Sequence, residues 1–543
     1  MLKTLQNNPI ATIIILVVIM LGFSIGHLPV SIMEARNFIT AREMLTDSHW
    51  LLTTMNGLAR YEKPPLPTWL TAIFGLLFGI KNIVALRFPA ILLVALTGIG
   101  IYKLSNKLLN NDQHSFINAL IGITSFYVIG IIIEAPWDIF THGFMLIAIY
   151  FLFCFFQNEN AVKTSLLAGG FIGFSILSKG PIAIYALLMP FLIAYGITYK
   201  YKVSKSRIGW IFACLLTALL VGGWWYLFVR LQDPVAFKAF AEKETGNWGS
   251  YNVKPFYYYW SFFTQSGIWT IPAFISLLYP YLKSKVSNLK VYQFSLLWTI
   301  LAVVLLSLVP EKKARYLMPV LIPLAINIGF YIEYLIRKFK TLNHKYETIP
   351  VYFNFGLIAC IGILFPLVGF VLRPFLTGSV LFWYVFASIT LVLVGIFIII
   401  QLKKKNLKYV FYLTIVFVAS VLITVLPLST IQGQSDYNPI SNLKEETSKT
   451  GLKVYGLNSI APELIWQFGD KIPVIKSEKG TLTLPNETRF GLLANRINND
   501  DQTVLETNYT IEKVETFDLN WQSKSSKKYN DRLSSNYYIL TKR

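Results

Sequence analysis

Apolar residues run through this chain in long blocks, broken by short polar loops. A membrane-crossing helix needs about 20 mostly apolar residues, and about 13 such blocks begin near Ile10, Val84, Phe116, Ile139, Thr164, Ile182, Ile208, Gly267, Val291, Leu317, Val351, Val380 and Val410. The pattern predicts an α-helical multi-pass membrane protein. The block from Leu66 to Gly79 is shorter and fronted by prolines, which predicts a helix lying at the membrane interface. No small-residue cleavage site follows the first block, so it reads as a retained helix. From about Gly433 the pattern changes: no block remains, KVYGL, FGLLANR, YTIEKVETF and NYYILTK read as strands, and APELIWQF reads as a short helix. The expected division is a membrane domain over 1–432 and a soluble α/β domain over 433–543.

Charge then orients the blocks. Lys3, Lys103 and Lys107, Lys163, the 200–207 cluster, Lys283 to Lys290, Arg337 to Lys345 and Lys403 to Lys408 fall at every second junction. Basic loops stay in the cytoplasm, so the N-terminus is expected inside and the C-terminal domain outside. A second set of basic residues lands on the outer side: Arg36, Arg42, Arg60, Lys63, Lys179, Lys238, Lys243, Lys254, Lys312, Lys313 and Arg315. Singly, each is explained by snorkelling to the interface. Together, from separate loops, they suggest a bound anionic group such as a phosphate.

The densest outer segment is the loop over 29–82, which carries Glu34, Arg36, Arg42, Glu43, Asp47, Arg60, Glu62 and Lys63. EARNFITAREML is compatible with a helix whose apolar stripe holds Phe38, Ala41 and Leu45. In YEKPPLP the prolines fix φ and remove backbone donors, predicting a stiff, extended mount for Glu62 and Lys63. Lys63 suits a phosphate, Glu62 a sugar hydroxyl or a cation. A rigid connector is the second reading of the prolines. Glu34 reads either as a general base or as one partner of an interfacial ion pair. Asp138, in EAPWDIFTH, is an ionisable residue at membrane depth and so a functional candidate, although a helix N-terminus also favours a carboxylate there. Lys179, in SKGP, sits where glycine and proline break a span.

Composition narrows the class. Only 14% of the 543 residues are charged, against about 25% in soluble chains. The net charge of +21 lies mostly in short loops, without a basic aromatic platform, so no nucleic-acid partner is expected. Cys154, Cys214 and Cys360 fall in apolar blocks and form neither a disulfide framework nor a metal motif. His27, His49 and His142 lack metal-ligand spacing. Neither GxGxxG nor GxxxxGK[ST] occurs.

MEARNFITAREM, NGLARYEKPPLPTW, APWDIFTH, SKGP, WWYLFVR and KKARYLMP together resemble the bacterial aminoarabinose (lipid A) transferases and, more distantly, the protein O-mannosyltransferases. These are GT-C glycosyltransferases that use polyprenyl-phosphate sugars. The resemblance covers roughly the first 330 residues. It implies the GT-C fold, an outward-facing site in the inner membrane, a polyprenyl (undecaprenyl) phosphate-sugar donor and a lipid A, glycolipid or other envelope acceptor, with inversion. It implies that Lys63, Lys179, Arg315 and Arg36 bind the donor phosphate, that Glu34, Glu62 and Asp138 are catalytic, and that Glu62 holds a divalent metal cation if one is used. The protein is expected to act as a monomer among membrane lipids. The chain departs from the family at Met33, where a carboxylate is usual, and lacks a clear counterpart of the family's arginine near Lys243 to Asn252. The competing class is a transporter or flippase of a lipid-linked glycan. Internal repeats and midplane charges would favour it, but here the charges collect at the outer edge.

Overall fold

The computed structural model describes every residue except 1, 24, 135, 203, 431–436 and 479–480. The expected boundary at 432/433 lies outside the described residues. Ten described helices are long and apolar enough to cross a membrane, or eleven if the bent pair Asp112–Ile123 and Phe126–Glu134 counts as one span. This corrects the expectation of about 13. The segment starting near Ile182 is helical but short, over Ile184–Tyr199. The segment near Gly267 is broken by Gly267 itself, at φ 68°, and leaves a helix of only seven residues, Thr270–Ser276. Hydropathy sums transfer energies and is blind to a backbone break, so these segments scored as spans.

Burial separates two kinds of helix. Leu321–Lys338 is buried along nearly its whole length. Lys205–Gly222 and Gly378–Lys403 bury only a few positions and keep long apolar faces outward, as lipid-facing helices do. Small residues allow close approach: a Cβ at Gly169 would sit 2.4 Å from the Cys214 carbonyl oxygen, and one at Gly222 would sit 2.7 Å from that of Gly173. The Ala161–Lys179 and Lys205–Gly222 helices therefore meet backbone to backbone.

The 29–82 segment folds into a helix, Ile32–Thr46, followed by a second, apolar helix of 13 residues, Leu66–Phe78. Ser31 and Glu34 form a reciprocal capping box at the start of the first. Between the two helices lies a small hairpin, Thr54–Met55 with Leu58–Ala59. Its turn is Asn56-Gly57 at φ 57° and 75°, where asparagine and glycine tolerate the left-handed conformation. The proline segment is less extended than expected: Leu66 and Pro67 already form the first helical turn, where a missing N–H costs nothing.

The C-terminal region forms a five-stranded mixed sheet in the order Val474–Ile475, Val454–Leu457, Arg489–Ala494, Ser534–Lys542, Tyr509–Asp518. The first three strands are mutually parallel and the last two pairings are antiparallel. The helix Pro462–Phe468 packs between this sheet and the Ile32–Thr46 helix of the membrane domain.

Candidate functional site

The outer-edge charges converge. Lys179 ends its helix because Gly180 adopts φ 78°, ψ −166°, a region essentially reserved for glycine. That turn delivers the Lys179 ammonium onto Asp138 Oδ1, with Lys179 also 5.2 Å from the centre of the Tyr316 ring. Asp138 lies in the first turn of Pro136–Phe156 and is buried. Its neighbour Trp137 lies under the Arg60 guanidinium, 5.3 Å from ring centroid to Cζ. Arg60 Nη1 donates to the Arg36 carbonyl at 3.0 Å and to Thr40 Oγ1 at 2.9 Å. Glu62 and Lys63 follow two and three residues later. Tyr316 donates to Glu311 at 3.1 Å, and Glu311 holds Lys313 at 2.7 Å.

The electrostatics of the loop follow from this crowding of cations. Lys63 is pushed down to about 8, by burial first and then by the charge of Lys179. Arg60 is lowered to about 10 by burial, with Arg36 adding to the effect. Burial pushes the Glu62 carboxyl up, but Arg60, Lys243 and Lys63 outweigh it and hold it below its usual value.

Hydrogen bonding marks where a ligand would go. Arg36 Nε, Arg60 Nε, Arg315 Nε and Trp137 Nε1 are buried N–H donors without an acceptor among the described residues, and Asp138 Oδ2 is a buried acceptor without a donor. Buried polar atoms are normally satisfied. Four donors and one acceptor left open around one cluster outline a place for an anion beside a group that carries a proton.

Other expected residues are placed differently. Both Glu34 oxygens are engaged by Arg87, at 2.6 and 2.9 Å, and the Ser31 amide donates to the second at 3.0 Å. Arg87 also donates to the carbonyls of Ile25, Leu28 and Pro29. With 1% of its surface exposed, Glu34 is a structural anchor, which corrects its expected catalytic role: its lone pairs are already taken. Lys312 likewise spends its ammonium on the Val309 and Lys254 carbonyls, at 2.6 and 3.0 Å. Glu62 pairs with Lys243 at 3.1 Å. Surrounded by Lys243, Arg60 and Lys63, and in no group of three or more carboxylate, histidine or cysteine ligands among the described residues, it does not fit a divalent cation. Glu43, Asp47 and His49 do lie within 4.8 Å of one another, but Glu43 is bound to Thr54 and the hairpin amides, and Asp47 to Lys471.

In the sequence Arg60 stands out only as one of the outer-side basic residues, and Trp137 and the structural Arg87 do not stand out as functional. Arg87 carried a usable signal, a guanidinium inside an apolar block. Trp137 carried none, because a tryptophan beside a span start is ordinary.

The chain is similar to several known proteins. Residues 62–226, which hold Glu62, Lys63, Asp138 and Lys179, match the family described as dolichyl-phosphate-mannose-protein mannosyltransferase. The undecaprenyl phosphate-alpha-4-amino-4-deoxy-L-arabinose arabinosyl transferase 1 of Pseudomonas fluorescens is 27% identical over 308 residues, 54% of each chain. Its counterpart 1 in Proteus mirabilis is 27% identical over 349 residues, 62% of this chain and 61% of the relative. The chain thus spans a little over half the length of these curated relatives. The crystal structure of ArnT from Cupriavidus metallidurans bound to undecaprenyl phosphate superposes over 98% of this chain and 97% of that one, at 15% identity and a TM-score of 0.68. The fold is the GT-C fold. Its apo form superposes at a TM-score of 0.66, so the agreement includes the membrane helices and the C-terminal sheet together. This GT-C chain is a multi-pass integral membrane protein.

Proposed function

We propose that this protein is a membrane glycosyltransferase that moves a sugar from a polyprenyl (undecaprenyl) phosphate to a lipid A, glycolipid or other envelope acceptor. The site faces outward in a bacterial inner membrane, with the N-terminus cytoplasmic and the C-terminal domain periplasmic. The carrying observation is the Lys179–Asp138 pair with buried, acceptor-free N–H donors on the neighbouring Trp137 and on Arg60 stacked over it. The undecaprenyl-phosphate relatives support the choice of donor.

In this reading Lys63, Arg36, Arg60 and Arg315 hold the donor phosphate. The acceptor oxygen attacks the anomeric carbon from the face opposite the phosphate. The bond from that carbon to the phosphate oxygen breaks, and its electron pair leaves with the lipid phosphate. Preplaced cations stabilise the charge that develops on the leaving group, which is the larger electrostatic contribution. The acceptor proton passes to Asp138 Oδ2, the oxygen that Lys179 leaves open. No step uses a metal. An acceptor that is itself an ionised phosphate would need no base, which is compatible with Met33 standing where the family has a carboxylate.

The test uses purified protein, a radiolabelled polyprenyl-phosphate sugar pool and an envelope extract. Label should move to a new acceptor. Lys63→Ala and Asp138→Asn should each lower the rate by about 10²-fold or more, in line with the loss of a preplaced cation or a base. Transfer retained in both correctly inserted variants would refute the site. Label that crosses a reconstituted bilayer without transfer would establish the flippase class instead.

A further inference from the structure

The hairpin that carries the site is held from two sides. From the membrane domain, the Glu43 carboxylate accepts from the amides of Asn56 and Gly57, at 2.6 and 3.2 Å, and from Thr54 Oγ1. From the C-terminal domain, Asn56 Nδ2 donates to the Ile472 carbonyl at 2.7 Å, and the Ile472 amide donates back to Asn56 Oδ1 at 2.7 Å. The side-chain amide thus behaves like one more rung between two strands, at a turn whose left-handed backbone suits asparagine. Beyond the hairpin, Thr53 and Arg60 close the ladder: the Arg60 amide donates to the Thr53 carbonyl at 2.9 Å, and Thr53 Oγ1 to the Arg60 carbonyl at 2.6 Å. Lys63 is three residues further, within about 11 Å of chain.

The helix Ile32–Thr46 is held by the same domain. Arg42 donates to the Ile465 and Asp470 carbonyls, at 3.4 and 3.0 Å, where the Pro462–Phe468 helix ends and a cation is favoured. Phe38 meets Trp466 at 5.2 Å, Ile39 is buried in the C-terminal domain's own apolar cluster, and Asp47 pairs with Lys471 at 2.7 Å. The other face of that helix supplies the Arg36 carbonyl and Thr40 hydroxyl that orient Arg60. Two supports of the Arg60–Lys63 segment, the hairpin and the Ile32–Thr46 helix, therefore reach the C-terminal domain, while Tyr61 and Glu62 are held within the membrane domain by Asp233 at 2.9 Å and Lys243 at 3.1 Å.

We propose that the C-terminal domain is a positioning module for the donor-phosphate site, with Asn56 the residue through which it aligns Lys63. This rests on the donor-phosphate reading above. Asn56 touches no reacting atom. Its role is to keep Lys63 in place before the lipid arrives, so that binding does not have to order the segment.

A double-mutant cycle on the full-length protein tests this, with undecaprenyl phosphate as the probe. Asn56→Gly keeps the turn conformation and deletes the amide. It should weaken undecaprenyl phosphate binding about fivefold to tenfold, a typical size for one lost positioning contact. In the Lys63→Ala background the same substitution should cost nothing further. An equal loss in both backgrounds would overturn the proposal. Hydrogen exchange gives a second arm that needs no ligand: amides over 58–63 should exchange at least about tenfold faster in Asn56→Gly, because their local opening is no longer resisted. Unchanged exchange there would also overturn the proposal, even if Asn56→Gly were destabilised elsewhere. If the native protein fails to bind undecaprenyl phosphate, the donor reading falls, and the exchange measurement still decides whether the C-terminal domain orders the Lys63 segment.

Discussion

At the scale of single residues, placement among like charges decides behaviour. The lowered Lys63 illustrates this. Its ammonium is shed near pH 8 rather than near 10.5, because burial and Lys179 disfavour the charged form. Binding of a phosphate needs the protonated amine, so affinity is fully present below pH 8 and falls as pH rises through it. Undecaprenyl phosphate affinity, followed by quenching of tryptophan fluorescence, should drop about fivefold between pH 8 and pH 9, the amount a single deprotonation with that midpoint requires. Lys63→Arg should flatten the profile, since guanidinium does not titrate there. The sign for stability is opposite. A base whose folded value lies below its unfolded one disfavours the fold at neutral pH, so Lys63→Met should raise the melting temperature while abolishing binding. Glu34 shows how the sequence misleads at this scale. A carboxylate just past a span reads as a catalyst until Arg87 is seen across from it, 53 residues away in sequence. Glu34→Ala should cost about 3–5 kcal/mol because it strands a buried guanidinium. It should therefore show as lost folded protein by size-exclusion chromatography. Folded, inactive Glu34→Ala protein would reinstate a catalytic role.

At the scale of elements, helix ends do the positioning. Lys179 reaches Asp138 only because Gly180 turns the chain in a conformation that alanine cannot adopt without strain. A Cβ there would also stand 3.1 Å from the Tyr226 hydroxyl. Gly180→Ala should cost about 1–3 kcal/mol and shift Lys179 from its partner. The check is a thermal melt beside a transfer assay, with activity falling further than stability accounts for. The same logic explains YEKPPLP. Its prolines do not simply stretch the loop; they open the Leu66–Phe78 helix three residues after Lys63, so the lysine sits at a fixed distance from a helix start. SKGP and YEKPPLP were legible as breaks from their glycine and prolines. Which helix each break faced was not legible, because that depends on contacts between segments far apart in the chain, 41 residues for Lys179 and Asp138 and 181 for Glu62 and Lys243.

At the scale of the whole molecule, orientation carries the function. The alternation of basic loops predicts opposite sides for the 403–408 loop and the C-terminal domain. Cys154 and Cys214 are buried and Cys360 lies in an apolar helix, so added cysteines report cleanly. Ser448→Cys, at an exposed position of the C-terminal domain, should react with a membrane-impermeant maleimide in spheroplasts without lysis. Lys404→Cys, exposed in its loop, should react only after lysis. The reverse pattern would invert the proposed topology. The C-terminal domain reads from its sequence only as a soluble α/β domain. Its strands and short helix were readable from β-branched and aromatic runs, but its docking on the Ile32–Thr46 helix and the hairpin was not, since Asn56, Arg42 and Ile472 are unremarkable in their own neighbourhoods.

The sequence by itself determined that this chain lives in a membrane, where most of its helices run, which loops are basic, and that the segments around Glu62, Asp138 and Lys179 concentrate charge in a chain short of it. Those properties are local: hydropathy adds up along about 20 residues, and glycine and proline act on their own φ. Only the tertiary structure decided that ten or eleven described helices, not about 13, are long enough to span, that Glu34 is an anchor for Arg87, that Arg60 and Trp137 join the site, and that the C-terminal domain holds the loop bearing Lys63. Each of these depends on which distant groups meet. The worth of a buried charge is set by the partner that burial brings to it, and no window along the chain contains that partner.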